Sequence, residues 1–506
     1  RIKDKMNSFD PIKSKIAAGL TVIEASAGTG KTFSISHLVP RLLLENPAWR
    51  VSEILLVTYT NDAAGELADR TRKVFAELVS DTPAENSTMV ELRAVMEKTP
   101  GGREKIHQAI RELDLLSIST IHSFCQAVLQ AEGELCGLPV MPEVLVDAKE
   151  LVREALHDIW KTTLASNEEL ARIAAMLGWS FEADLSFVLT ALEMPEIRVE
   201  PDEEGFEQLL ARLHNPQGRF QSADVDAMEA FFGGVDWNTA GGTPEFRNSV
   251  LHTLKNPEDL EAWYAAVQWV ASLDKPGPIK KPRGVDIHAS VAELQAVKTA
   301  KKVLEDFEKL TLSWRTHISK TVKEKVAVDL RSRRLTTFNG MVKTLDEALR
   351  GNNAEPLQQR IRERFRIALV DESQDTDGAQ FRIFEKIFLG SEDHSLVLIG
   401  DPKQAIYAFR GADVHTYLAA KNRSGAKIYT LSATYRSPQP LVDCVNALFD
   451  HARSFHKTNL EFTSASSAMS QDTWLQESAD RRTPSARLEA WVVPDAQVGD
   501  FSNGDK

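Results

Sequence analysis

The stretch Thr21-Val-Ile-Glu-Ala25-Ser-Ala-Gly28-Thr-Gly30-Lys31-Thr32-Phe33 joins a short apolar run to a glycine-rich turn and then to a helical pattern. Strand, turn and helix in that order are the context a phosphate-binding loop requires. In such a turn the backbone N–H groups point at phosphate oxygens, and the helix dipole favours the anion. The expected phosphate-loop residues are Ala25, Ser26, Ala27, Gly28, Thr29, Gly30, Lys31 and Thr32. Lys31 is expected to set its ammonium against the outer phosphates, and Thr32 its hydroxyl on a magnesium ion. Ala25 stands where the pattern usually has its first glycine, which matters little if that position needs no positive φ. Alone, the loop implies a nucleotide and no particular reaction.

Working outward, short apolar runs bounded by polar or turn residues recur in two separated blocks. Thr21 to Ala25, Ile54 to Thr58 and Leu116 to Thr120 form the first; Ile367 to Val370, Leu396 to Ile399 and Ile428 to Leu431 form the second. Runs this short, alternating with helical patterns, predict buried strands of a parallel sheet with crossover helices on its faces. From about Gln126 to Leu335 the pattern changes to long helical periodicity, as in Asp147 to Thr162, Glu168 to Leu177 and Val291 to Leu312. Gly233 to Pro244 and Lys275 to Gly284 are expected surface loops. The fold class is therefore α/β, one core split by a large helical insertion. We expect residues 1–125 as the first part of the core, 126–335 as the insertion, 336–437 as the second part, and 438–506 as the beginning of a further core. A helix over Pro438 to Phe449 precedes a Ser-rich stretch, Thr463 to Ala486, and a strand-like run, Leu488 to Val493. No internal repeat is found.

A length of 506 residues, 42% hydrophobic and 26% charged, is globular and argues for two to four domains. Cys125, Cys136 and Cys444 are too few and too scattered for a disulfide framework or a four-thiolate metal site, and a reducing cytoplasm is the simple reading. No apolar run approaches the roughly 18–20 residues that span a bilayer, and Arg1 to Ile12 has no signal-peptide core, so a soluble, unexported protein with no membrane partner is expected. Met6 opens a plausible start, which sets Arg1 to Lys5 upstream of it. A net charge of −13 does not exclude nucleic acid, because screening beyond about 10 Å lets a local basic groove act on an acidic protein. The run Trp314 to Arg334, with Lys320, Lys323, Lys325, Arg331, Arg333 and Arg334, is either a solvated helix face or a phosphate-tracking one.

In the second block, Ile367 to Val370 ends in Asp371-Glu372-Ser373-Gln374-Asp375. Acids at the carboxyl end of a parallel strand face the phosphate loop. Asp371 is then expected to hold magnesium through its water shell and Glu372 to orient or deprotonate the attacking water; an exposed acidic turn is the alternative. The next strand ends in Gly400-Asp-Pro-Lys403-Gln404-Ala-Ile-Tyr407-Ala-Phe409-Arg410-Gly-Ala. Gln404 beside a γ-phosphate can report its presence through hydrogen bonds. Tyr407, Phe409 and Arg410 offer two aromatic faces and a guanidinium on which bases stack, worth roughly 1–3 kcal/mol each.

Asp371-Glu-Ser-Gln-Asp-Thr-Asp377 followed by Gly400-Asp-Pro-Lys-Gln-Ala-Ile-Tyr-Ala-Phe-Arg-Gly-Ala-Asp413 resembles motifs II and III of the UvrD/Rep helicases of superfamily 1. The wording around Lys403 and the Glu24-Ala-Ser-Ala-Gly start are similar to the RecB branch, the beta subunit of exodeoxyribonuclease V. The resemblance runs from about residue 8 to 500 and implies two RecA-like cores that grip ATP between them. Leu56-Val-Thr-Tyr59-Thr60-Asn61 resembles motif Ia, which implies that Tyr59 stacks on single-stranded DNA and Thr60 holds its backbone; a Tyr59 that caps the sheet is the alternative. Ser119-Thr-Ile-His122-Ser-Phe-Cys125 is similar to a further DNA-side motif, with His122 either a DNA contact or structural. Thr434-Tyr435-Arg436-Ser437 looks like motif IV, in which Tyr435 packs on adenine and Arg436 reaches the γ-phosphate.

What the resemblance implies is the ATP- and Mg2+-dependent 3′→5′ motor of a helicase-nuclease for recombinational double-strand-break repair. Its partners are single-stranded DNA, double-strand DNA ends and RecC- and RecD-like subunits. An AddA-like or stand-alone UvrD-like motor, and a truncated protein that binds single-stranded DNA or serves as a scaffold without turnover, are the alternatives. The chain departs from the family in four places. The adenine-reading glutamine has no clear counterpart, its position falling at Ala18. Ser373 stands for the usual Phe, and Thr337-Phe-Asn-Gly-Met341 aligns with a Phe-Asp-Asp stretch. Motifs V and VI and a nuclease domain are not found before Lys506, so an N-terminal portion with little unwinding of its own is expected.

Overall fold

A computed structural model of the chain describes residues 7–84, 86–193, 204–213, 220–233, 242–257, 259–275, 291, 293–407, 412–449, 460 and 462–468. It divides into two compact units: Arg1–Pro142 with Phe338–Lys506, and Glu143–Thr337. The expected insertion began at residue 126. The helix Ile121–Ala131, which spans that point, buries Phe124, Cys125, Val128 and Leu129, and the whole helix belongs to the first unit.

The first unit is built on a seven-stranded sheet. Its strands are β1 (Asn7–Ser8), β2 (Gly19–Ala25), β3 (Ile54–Thr58), β4 (Ser117–Thr120), β5 (Ile367–Val370), β6 (Ser395–Gly400) and β7 (Lys427–Leu431). The order across the sheet is β1-β7-β2-β6-β5-β3-β4, and every neighbouring pair is parallel. Strands from before and after the insertion interleave: β2 lies between β6 and β7, and β3 between β5 and β4. Ile54, Leu56, Val57, Ala368, Val370 and Leu396 have no measurable exposure. Such continuous apolar runs suit strands covered on both faces. Helices Lys31–Glu45 and Asn61–Val79 follow β2 and β3, and Gly378–Phe388 lies between β5 and β6. This is the parallel α/β arrangement, flanked by helices, that the apolar runs predicted.

Six strands fall where the apolar runs predicted them, within one or two residues. The seventh, β1, is the two polar residues Asn7 and Ser8 paired with Tyr429 and Thr430 of β7; it carries no apolar pattern to announce it. Arg41 in the helix Lys31–Glu45 is 1% exposed. It donates to the Pro11 carbonyl and to the Glu45 carboxylate, so a buried cation is paired and staples the N-terminal segment to the helix.

The second unit is helical. Its longest element, Gln295–Arg333, has 39 residues and a length of about 58 Å at 1.5 Å per residue. Buried Val303, Phe307, Leu310, Trp314, Ile318 and Val322 recur on one of its faces, and the helices Lys149–Ser166, Phe181–Glu193 and Leu260–Ala271 contribute to the same core. A carboxylate lies inside it. Asp184 accepts from the indoles of Trp314 at 2.7 Å and Trp160 at 3.2 Å, with Arg315 at 3.5 Å. Burial pushes its carboxyl above the ordinary range, against those donors and the guanidinium.

Of the basic run, Lys325 pairs with Asp158 at 2.5 Å and Arg333 with Glu154 at 3.7 Å. That leaves a mixed-charge face in place of a uniformly cationic one. The loop expectations at 234–241 and 276–284 lie outside the described residues, as do the run Leu488 to Val493 and residues 469–486 of the Ser-rich stretch. Among the described residues no single helix is long and apolar enough to cross a membrane. The pair Glu168–Met176 and Phe181–Leu192 that together has the length is bent by 90°.

Trp314→Phe removes the shorter hydrogen bond to the buried Asp184 carboxylate, and we expect it to destabilise the second unit by about 1.5–3 kcal/mol. Denaturant unfolding of the chain, followed by indole fluorescence, measures the shift.

Candidate functional site

Because all seven strands run the same way, the segments that leave their carboxyl ends emerge along one edge of the sheet. The phosphate loop follows β2, Tyr59 and Thr60 follow β3, and His122 follows β4. Asp371 and Glu372 follow β5, Asp401 to Gln404 follow β6, and Tyr435 and Arg436 follow β7.

The loop is shaped by two glycines. Gly28 (φ 73°) and Gly30 (φ 85°) are left-handed, and Gly30 caps the helix Lys31–Glu45. The first N–H groups of that helix have no intrahelical acceptor, so they remain donors for an anion. Inside the turn Thr29 donates its hydroxyl to the Ser26 carbonyl at 2.7 Å. Ala25 is extended and paired with Leu431, which explains why no glycine is needed there. The other wall is the segment after β7. The Tyr435 N–H donates to the Gly28 carbonyl at 2.8 Å, and the Thr434 hydroxyl to the Ala27 carbonyl at 3.3 Å. A Cβ at Gly28 would stand 2.6 Å from Arg436 Cβ and 2.8 Å from Thr434 Oγ1. The Tyr435 ring is 65% exposed, and Arg436 is exposed beside it.

Lys31 Nζ lies 2.6 Å from both carboxylate oxygens of Glu372. Glu372 is one of two non-glycine residues with positive φ among those described, at 49°. Strain of this kind costs of order 1–3 kcal/mol and persists only where the surroundings fix it. Asp371 accepts from the Glu372 N–H at 2.9 Å. Its burial, and then the neighbouring Glu372 carboxylate, push its carboxyl up to about 6, with Lys31 opposing. Asp375 is pushed to about 6 by the same two causes. At the departure, Ser373 is 1% exposed and donates to the Ile399 carbonyl at 3.0 Å.

Gln404 donates its amide to Asp401 Oδ2 at 2.8 Å, and Lys403 pairs with Asp401 Oδ1 at 2.7 Å. Further along the edge the rings of Tyr59 and Tyr407 stack, with centroids 5.5 Å apart and an interplanar angle of 23°. Thr60 is exposed and caps the helix Asn61–Val79 through the Ala63 N–H. His122 packs edge-on against Phe338 at 5.5 Å, burial lowers its pKa, and its Nε2 is buried without a partner; the neutral ring is part of the packing there. Phe409 and Arg410 lie outside the described residues.

Ala18 precedes β2, at the edge of the sheet opposite the phosphate loop, so it is not placed to read a base bound at the loop. The N-terminal segment that reaches the correct edge is Ser8 to Asp10, where Ser8 pairs with Thr430 and the Phe9 N–H donates to the Thr430 carbonyl. Sequence reasoning also passed over Gln374, Asp401 and the Lys421–Glu24 ion pair at 2.7 Å behind the loop. The first two stand inside quoted motifs, yet their partners are a backbone amide and a side-chain amide that no pattern displays.

Among the described residues no cluster of three or more His, Cys, Asp or Glu could hold a metal unaided. Mg2+ takes one or two protein oxygens and completes its shell with water and substrate phosphates. Thr32, on the loop after β2, and Asp371, at the end of β5, have the hard oxygen chemistry it needs.

A model of the UvrD/REP helicase N-terminal domain matches residues 8–424. The chain is similar to the RecBCD enzyme subunit RecB of Escherichia coli (strain K12), 31% identical over 477 residues that cover 88% of this chain and 39% of that protein. It is 29% identical over 505 residues to the same subunit of Haemophilus influenzae, with 88% and 41% covered. To that of Mycobacterium tuberculosis (strain CDC 1551 / Oshkosh) it is 28% identical over 444 residues, with 86% and 30% covered. The chain spans about two fifths of the length of the first two.

Two expectations follow from the geometry. Gly28→Ala adds a methyl group against Thr434 and Arg436 at a left-handed φ, and strain of about 1–3 kcal/mol weakens nucleotide binding by about tenfold or more, read by titration with a fluorescent analogue. For Asp371 the sign depends on metal. Without metal, a folded-state pKa of about 6 lies above the unfolded value, so stability rises as pH falls from neutral through 6, seen by denaturant titration. With Mg2+, a proton competes for the same oxygens, so affinity falls by about tenfold per pH unit below that point.

Proposed function

The chain belongs to the UvrD/REP helicase family, and from that premise we propose that it is the ATP-binding portion of a RecB-like DNA motor. The observation that carries this reading is the convergence on one sheet edge of a phosphate loop, an ionisable acid pair, an amide sensor and a stacked aromatic pair. In the proposed cycle the loop N–H groups from Ala25 to Thr32 and the Lys31 ammonium bind the phosphates of ATP, and Tyr435 stacks on the adenine. Thr32, and Asp371 through the ion's water shell, would hold Mg2+, which would supply charge neutralisation at the transferred phosphoryl group.

Lys31 exchanges its partner Glu372 for the phosphates. Glu372, released from that pair, takes the proton of the attacking water. Gln404 reads the γ-phosphate, and Arg436 lends its planar fork to the same oxygens. Tyr407, three residues after Gln404, stacks on bases together with Tyr59, while Thr60 contacts the strand. From the sequence alone, Phe409 and Arg410 are further candidates for contact with bases. This spacing supports a coupling of nucleotide state to single-stranded DNA.

Likeness to the RecB subunits of RecBCD extends the proposal to 3′→5′ translocation and to double-strand DNA ends as substrate. It also extends it to recombinational repair in the cytoplasm and to RecC- and RecD-like partners. Hydrolysis by single-stranded-DNA-stimulated protein, in the longest natural polypeptide that carries these residues, tests the core of the reading. Glu372→Gln should lower kcat by about hundredfold or more while ATP still binds. Turnover at the parental rate in that variant overturns the assignment.

A further inference from the structure

Gln374 has no part in the cycle described above, yet it is 2% exposed and both ends of its amide are engaged. Its Oε1 accepts from the Asp401 N–H at 3.0 Å. A backbone N–H can only donate, so that contact fixes the orientation of the amide and turns Nε2 toward the acids. Nε2 donates to Glu372 Oε2 at 2.8 Å and to Asp375 Oδ2 at 3.2 Å. The neighbouring strand end leaves room for this: a Cβ at Gly400 would lie 2.3 Å from Gln374 Oε1.

The contacts form one continuous chain. The Gln404 amide donates to Asp401, the Asp401 backbone donates to Gln374, and Gln374 donates to Glu372. Glu372 sits in a left-handed conformation, which does not by itself aim the carboxylate. Lys31 and Gln374 hold it. Once Lys31 turns to phosphate, Gln374 is the remaining side-chain donor among those described.

We propose that Gln374 is the positioning residue of the hydrolytic base, and the link by which movement of the Gln404 loop reaches Glu372. This rests on the reading of Glu372 as the base. A lost donor of this kind, one step removed from the reacting atoms, typically lowers activity by about 10–100-fold.

The test compares the longest natural chain, with any subunits that purify with it, against Gln374→Met, Gln374→Glu, Gly400→Ala and Glu372→Gln. The readouts are ATP hydrolysis with and without single-stranded DNA and binding of a non-hydrolysable ATP analogue. Gln374→Met keeps the volume and removes all three hydrogen bonds. Gln374→Glu keeps the acceptor for Asp401 and sets a carboxylate against Glu372, and its near-identical shape serves if the Met variant does not fold. The expected result for both is a fall in kcat of about 10–100-fold with KM for ATP and analogue affinity within about threefold of the parent. The ratio of DNA-stimulated to unstimulated rate falls with it. Gly400→Ala, which displaces the amide from its other side, gives the same split.

An unchanged kcat in Gln374→Met, or a KM that rises in step with the loss, overturns the proposal. If Glu372→Gln leaves hydrolysis intact, the reading of the base fails. If Glu372→Gln abolishes hydrolysis and Gln374→Met does not lower it, the positioning role alone fails.

Discussion

The constraint on which the rest of the first unit depends is the common direction of its strands. Seven parallel strands have seven carboxyl ends on one edge, and a parallel strand can be reached only by a long crossover on a face of the sheet. Chemistry is thereby concentrated without any two reactive residues being close in sequence. Lys31 and Glu372 are 341 positions apart, yet each is one turn past the end of its strand, with β6 alone between β2 and β5. The price of this arrangement is that no local segment holds a complete site.

The interleaving of strands sharpens the point. β2 is flanked on both sides by strands from the far end of the chain, while β3 and β4 are joined to it only through β5 and β6. Neither block can close its own sheet, so the helical unit between them is tolerated as an excursion from a core that both blocks must complete. Pairings of such sequence separation are slow to form because loop closure comes before the contacts that reward it. A separately packed unit such as Glu143–Thr337, with its own aromatic core around Trp314, shortens the effective loop once it has folded.

Much of this was legible in the sequence, and the reasons are specific. The runs Ile54 to Thr58 and Ile367 to Val370 read as strands because burial on both faces makes every position apolar. The phosphate loop read as such because only glycine adopts φ near 73° and 85° without strain at Gly28 and Gly30. Asn7 and Ser8 did not read as a strand, since an edge pair of two polar residues has no pattern. Ala18 is the position that the resemblance gives for a missing adenine-reading glutamine, and a linear comparison does not show that β2 carries the chain from one edge of the sheet to the other between Ala18 and the loop. The basic run was visible, but its acid partners Asp158 and Glu154 belong to another helix, and charge along one helix does not report what faces it. Gln374 was quoted within its motif and given no role, because what defines it is the backbone N–H of Asp401.

The contact of Gly28 with Thr434 and Arg436 also bears on the order of events during synthesis. The wall that closes the phosphate loop is translated roughly 400 residues after it, a delay of about 20–80 s at typical elongation rates. Until then the nascent chain has the motif and lacks the cradle. Nucleotide binding is therefore a late-acquired property, arriving together with β6 and β7 in the last steps of sheet assembly. The cradle around the loop is thus made by the completed sheet, and the glycine-rich motif by itself supplies only one of its walls.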